Sequence, residues 1–378
     1  MDFSLDDDQR MLQETVQRLV ERDYRFEQRR AYAAEAEGFS RALWARLAEI
    51  GLLGLAYDEA DGGLGGSAVD VMLVMQALGR ALPLEPLLPT AVLGAAALRG
   101  ATPAQRARRV PSIAAGECVL AWAHDEAPQR GGLGAVACRA QREADGWVLD
   151  GHKPAVLHGD SVDAFLLSAR VDGGGLALFL VDAHTSGLGW QGWTTYDGRR
   201  AADLTLRSLY VNADGLIGRA GEAAPLIEAV QHAGIAALAA EAVGAMEGAL
   251  QMTVEHLKTR VQFGAPLARQ QALQHRAAEM LMAIEQSRSM AMYAALMLAE
   301  PDAAERAKAM SAVKVQIGRA ARFVAQQAVQ LHGGIGVTEE CAVGHVLKRA
   351  TVMEAEFGGV DEHLAAVARA GGFVRAAT

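Results

Sequence analysis

The spacing of apolar residues changes twice along this chain of 378 residues, and that change limits the folds it can adopt. Near the start, apolar residues recur every three or four positions, which predicts helices over 6–23, 41–50 and 69–80. Between residues 119 and 218 the period changes to two, in short runs bounded by glycine and aspartate that predict strands. From residue 221 an alanine-rich, proline-poor block restores the helical spacing.

These changes predict an α+β fold with three domains. An N-terminal all-α domain is expected over residues 1–118, with glycine-rich joints such as DEADGGLGGS at 58–67. A central β-barrel or β-sandwich domain should follow over residues 119–220, and a C-terminal four-helix bundle over residues 221–378. With 51% apolar residues, a chain of this length can bury a sizeable core in each domain.

The charge and the cysteine pattern exclude several classes of function. The formal net charge is −9, and the Lys and Arg residues are scattered, so the chain lacks a basic surface for nucleic acid. Cys118, Cys138 and Cys341 lie far apart and match no metal-binding spacing such as Cys-x-x-Cys. We therefore expect no nucleic-acid partner, no metal site, and reduced thiols of the kind usual in the cytoplasm.

The N-terminus and the apolar runs favour a cytoplasmic protein. The opening sequence MDFSLDDDQR is acidic and has neither the charged nor the apolar region of a signal peptide. Apolar runs such as 235–240 are interrupted well short of the ~20 residues that a membrane-spanning helix needs. We therefore expect no association with a membrane.

One informative motif is KTRVQFGAPLARQQALQHRAAEM at 258–280. It resembles a segment of the acyl-CoA dehydrogenase family that ends a long helix, turns at Phe-Gly and opens a new helix after a proline. Here those residues are Phe263, Gly264 and Pro266. The guanidinium of Arg260, at the end of the first helix, is a planar fork that fits two phosphate oxygens at once. Taken alone, such an arginine is more often a surface residue that faces the helix C-terminus.

A second motif, QLHGGIGVTEE at 330–340, ends a predicted helix at a glycine pair. Gly333 and Gly334 have no side chain, so a ligand can approach their backbone closely. The amides of Gln271 and Gln330 offer donors and an acceptor for a nucleotide, although each residue alone is more often simply solvated. A helical pattern precedes the glycines, which excludes a Rossmann loop. Both motifs therefore favour a ligand that contains a pyrophosphate.

The two motifs and the order of the domains resemble the acyl-CoA dehydrogenase family over the full length of the chain. Further matches are GLLGLAYDEADGGLGG at 51–66 and LALFLVD at 176–182. The resemblance implies the acyl-CoA dehydrogenase fold, FAD as cofactor and an acyl-CoA substrate. It also implies assembly into a dimer or tetramer and an electron-accepting flavoprotein as redox partner.

A finer resemblance is to the small subunits of pimeloyl-CoA dehydrogenases within that family. It is carried by SLDDDQR at 4–10, RALWARLAEIGLLGL at 41–55 and AEAVGAME at 240–247. It implies pimeloyl-CoA or another dicarboxylyl-CoA as substrate, and a large subunit as partner.

The family resemblance also implies a set of cofactor contacts. Arg260 is expected to bind the FAD pyrophosphate of a neighbouring subunit. The other positions that match cofactor contacts of the family are Phe263, Gln271, Gln330, Gly333, Gly334 and Glu126. Glu126 belongs to LAWAHDEA at 120–127, where Asp125 replaces the usual Thr. Ala155 and Leu157 likewise replace the usual Trp and Thr near the flavin.

The catalytic base of the family has no counterpart in this chain. Acyl-CoA dehydrogenation removes an α proton from the thioester while the β hydride passes to flavin N5, and a glutamate takes the proton. Counting from Gly333 places Phe357 at the usual position of that glutamate. Some members carry the glutamate earlier, before the Phe-Gly turn, and there this chain has Gly234.

Two nearby glutamates are candidates for the base. Glu241 lies seven residues beyond Gly234, about two helical turns along nearly the same face. A carboxylate among Ala, Val and Gly needs a partner or a raised pKa, so a structural hydrogen bond explains Glu241 at least as well as catalysis. Glu356 is the second candidate and would need a local backbone shift. The backbone N–H of Phe357 is retained and is the expected donor to the thioester carbonyl.

The leading hypothesis is an FAD-dependent acyl-CoA dehydrogenase that works as one subunit of a dimer or tetramer. The departures from the family pattern fit a pairing with a large subunit that supplies the base. An alternative is a non-catalytic structural subunit of such a complex. A third, a different flavin reaction on the same scaffold, has no positive mark in the sequence. The structural alternative is favoured if neither Glu241 nor Glu356 points into a cleft above a flavin.

Overall fold

The computed structural model of the protein describes residues 5–126 and 136–372. Residues 1–4 and 373–378, at the outer ends of the predicted domains, lie outside the described residues, as does Ala127 at the end of LAWAHDEA.

Helices fill both ends of the described chain, as the apolar spacing predicts. Side chains fix the start of the first helix, where Asp6 forms a reciprocal capping box with Gln9. In chain order the helices are α1 (Asp7–Asp23), α2 (Phe26–Ala33), α3 (Arg41–Glu49), α4 (Ala68–Gly79), α5 (Gly94–Leu98), α6 (Pro103–Ala114), α7 (Ala224–Thr259), α8 (Gln271–Met297), α9 (Ala303–His332), α10 (Ala342–Ala355) and α11 (Val360–Arg369).

Strands fill the central segment. They are β1 (Leu120–Ala123), β2 (Arg139–Glu143), β3 (Gly146–Leu157), β4 (Ala164–Val171), β5 (Leu176–Asp182), β6 (Leu188–Thr194), β7 (Arg200–Asn212) and β8 (Leu216–Ile217). A two-residue hairpin between α7 and α8 pairs β9 (Val261–Gln262) with β10 (Ala265–Pro266).

The eight central strands form one mixed sheet in the order β6-β7-β3-β2-β4-β5-β8, and β1 pairs with the edge of β4 that β2 also uses. β4 pairs in parallel with β1 and β2, while the remaining neighbours are antiparallel. The core lies against β4, β5 and β7, where Phe165, Phe179 and Leu204 are fully buried. The predicted order of helices, sheet and helices is confirmed.

By internal contacts, the chain divides into two compact units. One contains Met1–Arg29, Ala68–Pro83 and Ile235–Thr378, and the other contains Arg30–Ser67 and Leu84–Gly234. The units do not follow the predicted boundaries, because α1 packs on α4 and α4 on α8, which places part of the N-terminal segment with the C-terminal helices.

Helix α7 is largely buried. It is long and apolar enough to cross a membrane by length and composition, but 78% of its most apolar window is buried inside the structure. It meets α4 at two glycines. A Cβ on Gly79 would lie 2.1 Å from the carbonyl oxygen of Glu241, and one on Gly244 would lie 1.9 Å from that of Gln76. The two helix backbones are therefore in direct contact.

Candidate functional site

The two motifs of the sequence meet at one end of the helical bundle. The imidazole rings of His256, near the end of α7, and His332, at the end of α9, stack with centroids 4.4 Å apart. Beyond them, the backbone N–H of Leu267 donates to the carbonyl of Arg260 at 2.9 Å and closes the hairpin. Helix α8 then begins at Gln271. Arg260, Gln271 and the residues after α9 therefore share this end of the bundle.

This end presents apolar side chains to solvent. Phe263 is 94% exposed, Val337 74%, Ile335 56% and Val261 54%, and we name these four residues the bundle-end patch. Phe263 also adopts a positive φ of 54°, which is uncommon for a bulky side chain. Arg260, Gln271 and Gln330 are exposed beside it. Exposed apolar groups at this density are typical of a binding surface.

The glycine pair after α9 suits a large ligand. Gly333 has a φ of 68° and needs to be glycine for that reason. Gly334 has no such need, and a Cβ on either residue would meet no atom within 4 Å. The open backbone, the exposed guanidinium of Arg260 and the two exposed amides therefore form a donor set that fits a dinucleotide pyrophosphate and its polar groups. The predicted FAD contacts at this end of the bundle remain predictions.

The side chain of Glu126 is buried in the β domain, and its predicted cofactor contact remains a prediction. Its carboxylate accepts from Lys153 Nζ at 2.6 Å and from the backbone N–H groups of Ala137 and Cys138 at 2.6 and 3.2 Å. Burial acts to raise the pKa of Glu126, but Lys153 and these N–H groups outweigh it, so the pKa is lowered. An ionised carboxylate with these partners stabilises the β domain.

The position of the missing base lies in the turn after α10. Helix α10 ends at Ala355, and the next residues turn through Phe357, at a φ of 57°, and Gly358, at 95°. A bulky residue in the left-handed region costs about 1–3 kcal/mol and persists only where its surroundings fix it. This strained turn therefore points to strong local anchors.

Four side chains from three helices anchor residues 356–359, which we name the base-position turn. They are Arg349 on the Glu356 carboxylate, His363 on the Phe357 carbonyl, Lys314 on the Gly358 carbonyl, and Glu362 on the Gly359 N–H. Since a carbonyl only accepts, His363 Nε2 carries the proton and Nδ1 accepts from Ser311 Oγ at 3.2 Å. The turn is held on both sides.

Glu241 and Glu356 are both bound by one buried cation. Arg349 Nε and Nη2 donate to the two Glu241 oxygens at 2.9 and 3.1 Å. Nη1 and Nη2 donate to Glu356 at 2.6 and 3.3 Å. Only 1% of the Arg349 and Glu241 side chains is exposed, against 11% for Glu356. This favours the structural explanation of Glu241, because both of its oxygens are committed to Arg349.

Two adjacent backbone donors of the base-position turn are left unpaired. Among the described residues, neither the Phe357 N–H nor the Gly358 N–H has an acceptor within hydrogen-bonding distance, although the Phe357 carbonyl is bound by His363. Most backbone donors in folded proteins are paired, so free ones in an anchored turn are candidate ligand contacts. The Phe357 N–H is the one that the resemblance predicts for a thioester carbonyl.

Comparison with known proteins identifies the scaffold. The N-terminal domain model of acyl-CoA dehydrogenases matches residues 6–117, and their C-terminal domain model matches residues 229–372. The chain belongs to the acyl-CoA dehydrogenase family. It is therefore an FAD-dependent oxidoreductase with the acyl-CoA dehydrogenase fold.

Individual relatives match this acyl-CoA dehydrogenase over nearly its whole length. It is 32% identical over 349 residues to acyl-CoA dehydrogenase IpdE2 of Mycobacterium tuberculosis, with 91% of each chain covered. It is 25% identical to the short-chain acyl-CoA dehydrogenase of Clostridium acetobutylicum, with 94% and 95% covered. The ChsE4-ChsE5 complex of Mycobacterium tuberculosis contains a chain that superimposes with a TM-score of 0.89, at 26% identity and full coverage of both chains.

Lys314, Arg349 and His363 were missed by the sequence reasoning. Lys314 lies in the run AVKVQIG and is 2% exposed, so a lone cation on an apolar helix face was the signal. Arg349 offers the same signal in α10, since only 1% of it is exposed. Their partners lie on other helices, which sequence spacing does not reveal.

Proposed function

We propose that this protein is one subunit of a heteromeric acyl-CoA dehydrogenase whose partner chain supplies the catalytic base. The observation that carries the proposal is the Arg349 cluster. Phe357 occupies the position of the base, and Arg349 binds the carboxylates of both alternative candidates, Glu241 and Glu356. A carboxylate whose oxygens are bound to a guanidinium would have to give up those contacts before it could approach the substrate.

The chain's own contribution is to the flavin site and to the thioester. FAD, when bound, supplies the acceptor for the β hydride of the acyl group. Arg260 would pair with its pyrophosphate, and Gln330, Gly333 and Gly334 would offer amide and backbone contacts beside it. The Phe357 N–H would donate to the thioester carbonyl. Proton abstraction would fall to the partner's site.

Two observations support a second, different chain. The bundle-end patch exposes Phe263 and Val337 almost completely, which suits contact with another subunit. Two similar structures are described by pairs of proteins: the ChsE4-ChsE5 complex, and the Tcur3481-Tcur3483 steroid enzyme, at 28% identity and a TM-score of 0.87. The proposal retains an electron-accepting flavoprotein as redox partner and a cytoplasmic location.

The partners of the buried cations bear on the choice of acyl-CoA substrate. Pimeloyl-CoA carries a distal carboxylate that needs a cation. Every buried cation among the described residues has a partner inside the protein, and these are Arg29, Lys153, Arg199, Lys314 and Arg349. A relative from Geobacter metallireducens, 29% identical, is named cyclohex-1-ene-1-carbonyl-CoA dehydrogenase. We therefore set an uncharged cyclic acyl-CoA beside pimeloyl-CoA as a candidate.

The test is anaerobic visible spectroscopy of the chain alone and of the complex purified through a tag on this chain. Pimeloyl-CoA, butyryl-CoA and cyclohexanecarbonyl-CoA are added in turn. We expect bleaching of the flavin band only in the complex. Full bleaching of the chain alone would show that it has its own base and would overturn the proposal.

Arg260→Ala is expected to weaken flavin retention by about 10- to 150-fold, because a hydrogen bond to a charged group contributes about 1.5–3 kcal/mol. The measurement is flavin absorbance per protein after gel filtration of the complex. Arg269→Ala is the matched control, since Arg269 is also exposed and lies in the same connection before α8. Equal flavin content in both variants would favour a purely structural subunit.

A further inference from the structure

Lys314 is, after Arg349, the most enclosed of the four anchors of the base-position turn. Its side chain is 2% exposed on α9. Its ammonium donates to the carbonyl oxygens of Met353 at 3.1 Å, Glu354 at 2.9 Å and Gly358 at 2.9 Å. An ammonium has three N–H donors, so each is used by one backbone carbonyl.

These three carbonyls lie on opposite sides of the base-position turn. Met353 and Glu354 belong to the last turn of α10, whose carbonyls have no partner within the helix. Gly358 follows Phe357. One cation therefore ties the end of α10 to the far side of the turn. His363 fixes the Phe357 carbonyl in between, so the conformation of Phe357 is set by side chains from α9 and α11.

We propose that Lys314 is a positioning residue for the thioester-carbonyl donor: by holding three carbonyls around the base-position turn, it aims the Phe357 N–H at the acyl-CoA ligand. The proposal rests on the proposed function, which makes that N–H a ligand contact. Lys314 itself touches only backbone carbonyls.

The protonation of Lys314 should therefore affect ligand affinity. Burial lowers the pKa of Lys314 from 10.5 to about 8, and the charged groups that act on it are Glu356, Glu354, Glu362 and Arg349, with His363 also close. A neutral amine keeps two N–H donors, so one of the three carbonyls loses its partner above that pH. Affinity for a thioester should fall as the pH rises through about 8.

The stability contribution of Lys314 has the opposite sign in the same window. Because its pKa is lower in the folded chain, the unfolded chain binds more protons between about pH 8 and 10.5. The contribution of this group to the free energy of unfolding therefore increases with pH there. A loss of affinity in that window is not a consequence of Lys314 destabilising the fold.

The test compares crotonyl-CoA, a 2-enoyl thioester, with free CoA by titration calorimetry on the purified chain. Lys314→Met removes the three donors at similar length. We expect wild type to bind crotonyl-CoA more tightly than CoA. Lys314→Met should bind crotonyl-CoA about tenfold more weakly than wild type, which corresponds to the loss of one hydrogen bond, and its affinity for CoA should be unchanged. Arg319→Met, at an exposed position on α9, is the control.

The outcomes separate the two proposals. If wild type does not prefer crotonyl-CoA to CoA, the donor role of Phe357 in the proposed function fails. If both wild type and Lys314→Met bind crotonyl-CoA more tightly than CoA, the positioning role of Lys314 is wrong while the proposed function stands. Should Lys314→Met not fold, the pH profile of the wild-type preference decides: a constant ratio from pH 7 to 9.5 would overturn the role of Lys314.

Discussion

Arg349→Met is expected to lower the free energy of unfolding by about 3–5 kcal/mol. The substitution removes the guanidinium that binds the carboxylates of Glu241 and Glu356. Glu241 is 1% exposed and both of its oxygens are bound to Arg349, so its charge has no route to solvent. The measurement is urea unfolding followed by circular dichroism at pH 7.

The matched control is the double variant Arg349→Met with Glu241→Leu. It removes the cation and its more buried partner together, so it should be more stable than Arg349→Met alone. A single variant within about 1 kcal/mol of wild type would mean that Glu241 is not held by this ion pair. Glu241 would then regain its place as a candidate base.

Phe357→Glu should give this chain a base at the family position. A general base contributes about 10²–10⁴ in rate, so flavin reduction by an acyl-CoA should accelerate by that order in the variant. The turn already holds position 357 at a positive φ, and its anchors act on backbone carbonyls and on Glu356, not on the Phe357 side chain. The measurement is anaerobic stopped-flow absorbance of flavin-loaded protein.

Phe357→Gln is the control for this variant, because it has the same shape as the glutamate and cannot take a proton. Equal rates for the two variants, at equal flavin content, would show that position 357 does not face the α carbon. In that case the whole turn, and with it the Phe357 N–H, would lose its assignment to the thioester.

Much of the fold follows from apolar periodicity. The predicted helices over 41–50 and 69–80 correspond to α3 and α4. Helix α3 buries one stripe of side chains, and α4 is buried at every residue from Met72 to Gly79. The strands β4 and β5 were predicted from short apolar runs between turns, and both are buried on nearly every residue. Local pattern is sufficient where one element buries its own apolar face.

The candidate site was less predictable, because its interactions join distant positions. Arg349 and Glu241 are 108 residues apart in the sequence, and Lys314 meets carbonyls about 40 residues further on. The sequence indicated that Glu241 needs a partner but did not identify Arg349 as that partner. Glu126 was assigned to the cofactor by family position, yet its oxygens face Lys153. Tertiary partners of charged residues follow from the packing of helices and strands, which spacing alone does not encode.

The glycine contact between α4 and α7 has a consequence for how this protein can evolve. The backbone of Gly79 touches the carbonyl of Glu241 so closely that any side chain at position 79 would push α7 away. The position of Glu241 along Arg349 therefore depends on a residue that has no side chain. Inheritance of the charge cluster therefore requires inheritance of Gly79, and relatives that lose this glycine should have rebuilt the pair as well.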